Sequence, residues 1–220
     1  MSKILIFSLL LYLTGNPIIA IIVLLIIIYV LDRRFVGLTP SFVRPFRLSR
    51  RASRLRQDLH ANPHDTSAKL ELARILLEKK KYSEAAQLLE QTLIVMEDSA
   101  EVHAELGLCR LQTGDLAQGE QLMIKALELN PRVKYGEPYL RLGEALAGSA
   151  PEKAVAYVER FREVHSSSVE AYYKLGQLYQ KLGRAADAKR AYREAIDIYR
   201  GLPKYSRKQQ RRWALLARFK

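Results

Sequence analysis

A leucine followed by glycine or alanine recurs about every 34 residues, and this repeat constrains the fold of the chain more than any other feature of its sequence. A second small residue follows each pair after 12 positions, or 11 in the third copy, and a large apolar residue follows four positions later. Periodicity of this length predicts a stack of two-helix units. An antiparallel bundle with accidental periodicity is the alternative, and four copies in phase argue against it. The pairs are Leu72–Ala73, Leu106–Gly107, Leu142–Gly143 and Leu175–Gly176, and the later small residues are Ala85, Gly119, Ala154 and Ala188.

The spacing has a physical basis in helix packing. Small residues let the two helices of a unit approach closely, and the larger residues fill the space towards the next unit. Gly114 and Gly183 are predicted to end the first helix of their units, where a left-handed backbone is needed, and Pro131 is predicted to stop a second helix. One hairpin cannot bury its apolar face, whereas three or more stacked hairpins can.

This pattern resembles the tetratricopeptide repeat, whose motif is W-x2-L-G-x2-Y…A-x3-F…P. The resemblance covers residues 66–202 in four frames: 66–99, 100–133, 136–168 and 169–202. The signature tryptophan is missing from every frame, and Lys134–Tyr135 are inserted before the third. The resemblance implies an all-α solenoid of helical hairpins that binds proteins.

Residues 1–36 differ from the rest of the chain because they contain two apolar runs. The second run, Ile18–Leu31, follows an Asn-Pro pair suited to start a helix. With Phe35 and Val36 it has the length of about 20 residues that spans a bilayer, so the sequence predicts a transmembrane anchor at 1–36. A cleaved signal peptide is disfavoured because a charged stretch follows in place of a small-residue cleavage site. Ile4–Leu13 is interpreted as part of a kinked span, a half-buried helix or one arm of a membrane hairpin.

The net charge of +13 is concentrated in the two flanks of the predicted repeats. Residues 37–65 are predicted to form a basic juxtamembrane linker and an N-terminal capping helix. By the positive-inside rule, this arrangement places the repeats in the cytoplasm, next to the cell membrane.

Residues 203–220 are predicted to form a basic C-terminal capping helix from about Lys204. Its predicted packing residues are Tyr205, Gln209, Trp213 and Leu216. Its predicted exposed basic surface is Arg207, Lys208, Arg211, Arg212 and Arg218.

Residues that could perform catalysis or bind metal are scattered through the sequence. His60 and His64 are separated by a proline, and Cys109, the single cysteine, follows a Leu-Gly-Leu run that favours burial. No nucleophile elbow or phosphate-binding glycine loop is present in the sequence. We therefore expect a protein that is not an enzyme and that has no metal site and no cofactor.

The resemblance also implies a partner-binding groove, formed by the first helix of each unit. Its predicted apolar strip with acidic edges suits a peptide or an amphipathic helix that carries Lys or Arg. The groove is predicted to include Leu70, Arg74, Leu77, Glu101, Leu108, Leu111, Glu137, Leu140, Glu144, Glu170, Tyr173 and Gln177.

The sequence thus predicts a single-pass membrane-anchored scaffold that binds protein partners at the cytoplasmic face, as an assembly or adaptor factor. The alternative is binding of nucleic acid, the ribosome or anionic lipid through the basic flanks.

Overall fold

The computed structural model describes residues 11–13, 15–35, 43–164 and 168–220, and no strand occurs in these ranges. One short 3-10 turn is formed by Val133–Gly136. The helices are α1 (Pro17–Phe35), α2 (Val43–Ala61), α3 (Thr66–Glu78), α4 (Tyr82–Leu93), α5 (Ala100–Thr113), α6 (Leu116–Leu129), α7 (Glu137–Leu146), α8 (Pro151–Val164), α9 (Val169–Lys181), α10 (Ala185–Gly201) and α11 (Lys204–Arg218).

Helices α3 to α10 form four consecutive pairs, which we call units 1 to 4. The first helix of each unit (α3, α5, α7, α9) is called an A helix and the second (α4, α6, α8, α10) a B helix. Each A helix packs against its own B helix, and neighbouring units pack on one another. The prediction of an all-α solenoid of the tetratricopeptide type is confirmed.

The N-terminal helix does not confirm the predicted transmembrane span. Across the residues that the structure describes, no helix combines the length and the apolar composition needed to cross a membrane. Of the first apolar run, Ile4–Leu13, only 11–13 are described, and the linker at 36–42 lies outside the described residues.

Side-chain caps fix the start of several helices. Asp65 accepts a hydrogen bond from the backbone N–H of Ala68 at 2.9 Å, and Asp115 accepts one from Gln118 at 3.0 Å. Ser99 and Ser168 cap α5 and α9 in the same way. Each cap satisfies a backbone donor that the helix leaves without an internal partner.

The predicted left-handed glycines at the ends of two A helices are confirmed. Gly114 has a φ of 95° and Gly183 a φ of 74°. Unit 1 makes the same turn with Lys80 at a φ of 59°, where a side chain is less favourable.

Small residues bring the two helices of a unit into close contact. A Cβ added at Gly119 of α6 would lie 2.6 Å from Leu111 Cδ2 and 2.8 Å from the Leu111 backbone nitrogen of α5. A Cβ added at Gly176 of α9 would lie 2.6 Å from Cε1 of Tyr192 in α10. Any side chain at either position therefore forces its neighbour to move.

Unit 3 departs most from its neighbours at its entry. Lys134 and Tyr135 both adopt left-handed backbone conformations, with φ values of 46° and 57°. Gly136, also left-handed, precedes α7, which has 10 residues against 14 in α5. The two inserted residues are thus accommodated as a tight turn.

Helices α2 and α11 cover the two ends of the stack. Ala52 and Leu55 of α2 are buried in one core with Leu72 and Leu76 of α3. At the other end Ala214 and Ala217 of α11 are buried against unit 4.

The predicted packing face of α11 is partly wrong. Trp213 and Leu216 pack on unit 4, but Tyr205 is 81% exposed and Gln209 is also exposed. The buried face is centred instead on Ala214 and Ala217. The contacting stripe is therefore rotated around the helix axis relative to the predicted one.

Candidate partner-binding surface

The predicted groove residues lie on the A helices, and we call this surface the A-helix face. Ion pairs connect its units. The Arg74 guanidinium of α3 donates to Glu101 at 2.6 Å and to Glu105 at 2.9 Å, both on α5. Glu105 is 3% exposed and also accepts from the Lys134 ammonium at 2.7 Å. A buried carboxylate is thus held by cations from the units on both sides.

The predicted acidic edge is neutralised by basic residues that the sequence analysis did not assign to it. Arg141 pairs with Glu137 at 2.6 Å and with Glu144 at 3.3 Å. Lys174 pairs with Glu170 at 2.9 Å. A partner that carries Lys or Arg would therefore compete with these pairs for the carboxylates.

Three of the predicted groove residues are buried within the protein. Leu111 packs against Met123 and Leu142, while Leu140 lies in the core shared by units 3 and 4. Tyr173 is 6% exposed, and its ring lies 5.5 Å from that of Trp213. These side chains stabilise the stack and contribute little open surface.

The remaining apolar groove residues are half-buried, and the polar ones reach solvent. Leu70 and Leu77 pack on the core of unit 1, and Leu108 packs on that of unit 2, each with part of its surface open. Gln177 is exposed and donates to the Tyr173 hydroxyl at 3.2 Å. The open apolar strip is therefore narrower than predicted.

A cavity of about 190 Å³ lies on the A-helix face between units 3 and 4. It brings together three predicted groove residues, Glu137, Leu140 and Glu170. Lys134 and Lys174 also line it, so two ammonium groups and two carboxylates surround an apolar floor. Its size suits one side chain of a partner rather than a whole small molecule.

A larger cavity, of about 620 Å³, lies between the B helices of units 2 and 3. Ile124 and Leu127 of α6 face Tyr157 of α8 across it. The Tyr157 hydroxyl donates to Glu120 at 2.7 Å. Burial, together with this hydrogen bond, raises the pKa of Tyr157, which keeps the hydroxyl protonated as a donor.

The five predicted basic residues of α11 have different environments. Arg207 donates to the backbone carbonyls of Leu202 at 2.7 Å and Arg200 at 2.6 Å, so it caps the end of α10. Lys208, Arg212 and Arg218 are exposed, whereas Arg211 is half-buried. The predicted basic surface is therefore divided between a structural arginine and exposed cations.

Cys109 lies in the core of units 1 and 2 and is 0% exposed. Burial raises the pKa of its thiol to about 12, with a further contribution from the nearby Glu105 carboxylate. The thiolate that a nucleophile requires is therefore disfavoured.

Sequence reasoning missed four charged residues of this face: Glu105, Lys134, Arg141 and Lys174. Three of them, Glu105, Arg141 and Lys174, occupy the same position in the second, third and fourth repeat frames. The recurrence of a charged residue at that position is the signal that could have identified them.

The described residues form a stack of helical hairpins, with small residues at the helix contacts and a charged A-helix face. These features define a helical-repeat protein. Two models of the tetratricopeptide repeat match the chain, one at 52–106 and 76–142 and the other at 169–201. The matches cover more than half of the residues, and the chain belongs to the tetratricopeptide repeat family.

Solved structures give the same fold. TTC0263, a thermophilic tetratricopeptide repeat protein of Thermus thermophilus, is similar with a TM-score of 0.58 at 21% identity, over 79% of this chain and 95% of that one. MamA gives 0.55 at 19% identity, over 68% and 87%. YrrB, described as having an unusual peptide-binding site, gives 0.51 at 20% identity, over 81% and 87%. No curated protein sequence matches the chain.

Proposed function

We propose that this chain is a scaffold that binds a peptide or an amphipathic helix of a protein partner along its A-helix face, and that it serves as an assembly or adaptor factor. Tetratricopeptide repeat proteins are protein-interaction scaffolds. The observation that carries the proposal is the cavity between units 3 and 4, which is lined by Lys134, Lys174, Glu137 and Glu170 together with the exposed ring of Tyr135 and a buried apolar floor. An apolar anchor with adjacent charges of both signs is how a groove selects a peptide.

The ion pairs on this face do not prevent binding. Arg74 is 43% exposed and Glu101 is 59% exposed, and such surface pairs contribute only about 0–1 kcal/mol each. A partner can therefore exchange its own charged groups for them at small cost, whereas the buried Glu105 keeps the units in register.

The test is photo-crosslinking in cells from a benzoylphenylalanine placed at Gln177, an exposed residue about one helical turn from the cavity residue Lys174. The matched control is the same group at Gln87, an exposed residue of the B helix α4. We expect a discrete crosslinked species from position 177, weakened by Lys174→Glu and unchanged by Lys189→Glu on the B helix α10. Equal crosslinking from positions 177 and 87 would contradict the proposal.

The scaffold is held at the cytoplasmic face of the cell membrane by its apolar N-terminal segment. Support comes from α1, where Ile18, Leu25 and Ile26 are 56–67% exposed, and from the arginines that follow it in the sequence. Exposed apolar surface of this kind is typical of membrane contact.

Fractionation of cells that express the full chain tests this location. We expect the chain in the membrane fraction after alkaline carbonate washing, and a shift to the supernatant for the Ile22→Arg, Leu25→Arg double variant. Recovery of the unaltered chain in the supernatant would refute membrane attachment without affecting the crosslinking result.

A further inference from the structure

We infer that the groove between α10 and α11 is a second protein-docking surface, and that its occupant is an acidic amphipathic helix. We call this surface the C-terminal groove. It is a cavity of about 410 Å³, lined by Ile196, Tyr199, Ala214 and Leu215 together with Arg200, Arg211 and Arg218. It is separate from the A-helix face and independent of the function proposed above.

The geometry of the groove matches a helix. On α11 the residues Arg211, Ala214, Leu215 and Arg218 are spaced i, i+3, i+4 and i+7, so they form one continuous stripe. Ile196, Tyr199 and Arg200 form the corresponding stripe on α10. Two helical stripes that border an apolar trough form the type of groove that receives the apolar face of a third helix.

The packing of α11 explains why this trough is open. Helix α11 packs against α9 and α10, as an A helix packs on the unit before it. In units 1 to 4 a B helix then covers the A helix, whereas the described residues include no such helix packed on α11. Leu215, Ile196 and Tyr199 are accordingly only half-buried.

Charge identifies the chemistry of the occupant. None of the described residues that line the groove is acidic, and three are arginines. Arg200 forms a surface pair with Asp197, in which both side chains are more than two-thirds exposed and so contribute little. Residues 204–220 contain no acidic side chain at all. An apolar trough bordered by guanidinium groups complements leucines that are flanked by glutamates.

A flat anionic surface explains the residues of the C-terminal groove less well than an acidic helix does. A bilayer or a nucleic acid would engage exposed cations wherever they lie, including Lys208 of α11 and Arg193 of α10, which do not line the groove. A helix in the trough would depend on Arg200 and Arg218 and would be indifferent to those two.

The experiment measures fluorescence anisotropy of a labelled synthetic helical peptide with the purified full chain in detergent. The probe has leucines at i, i+3, i+4 and i+7 flanked by glutamates. Matched peptides carry lysines in place of the glutamates, or the same residues with the leucine spacing scrambled. Emission of Trp213, whose ring packs on Tyr173 of α9 away from the groove, checks that α11 keeps its packing in each variant.

We expect the acidic peptide to bind the unaltered chain at least about tenfold more tightly than either matched peptide. The Arg200→Glu, Arg218→Glu double variant should lose about tenfold for the acidic peptide and gain affinity for the lysine peptide. The Arg193→Glu, Lys208→Glu variant changes net charge equally and should bind as the unaltered chain does. Circular dichroism establishes that both variants fold.

Three results would overturn the inference. Equal affinity for the acidic and scrambled peptides would exclude helix recognition. Stronger binding to phosphatidylserine vesicles or a single-stranded oligonucleotide, lost equally in both double variants, would assign the cations to lipid or nucleic acid. Self-association of the chain that only the groove variant abolishes would make a second copy the occupant.

Discussion

Units 2 and 4 make the same helix-to-helix contact with different chemistry. In unit 2 both helices carry a glycine at the contact: Gly107 of the A helix faces Met123, and Gly119 of the B helix faces both the side chain and the backbone of Leu111. In unit 4 the A-helix glycine, Gly176, faces the ring of Tyr192, and the B-helix position is Ala188. The contact at Gly119 is closed partly by backbone, and the contact at Gly176 by a side chain. Unit 4 should therefore tolerate a larger residue at Gly176 better than unit 2 tolerates one at Gly119. The ring of Tyr192 can rotate away, whereas the backbone at Leu111 can move only with its whole helix.

The largest expected effect is at Gly119. Gly119→Ala should lower the free energy of unfolding by about 2 kcal/mol, since overpacking outweighs the gain in helix propensity. Gly176→Ala should cost less, about 1 kcal/mol, and Tyr192→Leu should recover part of that loss by removing the ring. Leu111→Ala should not rescue Gly119→Ala to the same extent, because the backbone nitrogen remains. Urea denaturation of the single and double variants measures these differences, and equal rescue at both sites would remove the distinction between the units.

A second comparison is between a buried and an exposed carboxylate. Glu105→Gln leaves Arg74 and Lys134 without their shared partner and should cost about 1–2 kcal/mol, because both cations are partly solvated. Glu163→Gln breaks a pair with Arg160 in which both side chains are more than 60% exposed, and should cost less than about 0.5 kcal/mol. Thermal unfolding of the two variants side by side measures the difference. A loss at Glu163 as large as that at Glu105 would contradict the role assigned to burial.

A third effect depends on pH and concerns the thiol of Cys109. Its pKa is raised from 9.0 to about 12 in the folded chain, so above pH 9 the unfolded chain releases a proton that the folded chain retains. Stability should therefore fall as pH rises from about 9 towards 12, by about 1 kcal/mol between pH 8 and pH 10. The Cys109→Ala variant should show a flatter dependence in that interval, because the buried tyrosines, which ionise near pH 10 in the unfolded chain, contribute equally to both proteins. Identical slopes for the two chains would exclude a contribution from the thiol.

The features that could be predicted from the sequence are those that depend on local spacing. The recurring small residues determined the fold, and Gly114 and Gly183 had to be left-handed because each ends a helix before a tight turn. The left-handed pair Lys134–Tyr135 could not be predicted, since nothing in those residue types requires that conformation. It results from fitting two extra residues between stacked units.

The binding surface was harder to predict than the fold. Long charged side chains reach across units, so pairs such as Arg74 with Glu105 depend on the stacking of one unit on the next. Tyr173 was assigned to an open groove because its position faces outward in an isolated unit, but Trp213 of α11 covers it. The face of α11 that packs on unit 4 is set by the small residues Ala214 and Ala217, which approach that unit most closely. The sequence pattern alone did not identify this face.

Amide hydrogen exchange, measured on the full chain with and without the partner captured by crosslinking, tests the central claim most directly. If the A-helix face binds the partner, protection should rise in α7 and α9, around the cavity between units 3 and 4, and should stay unchanged in the B helices α4 and α6. Protection confined to the B helices, with α7 and α9 unaffected, would contradict the proposed binding surface.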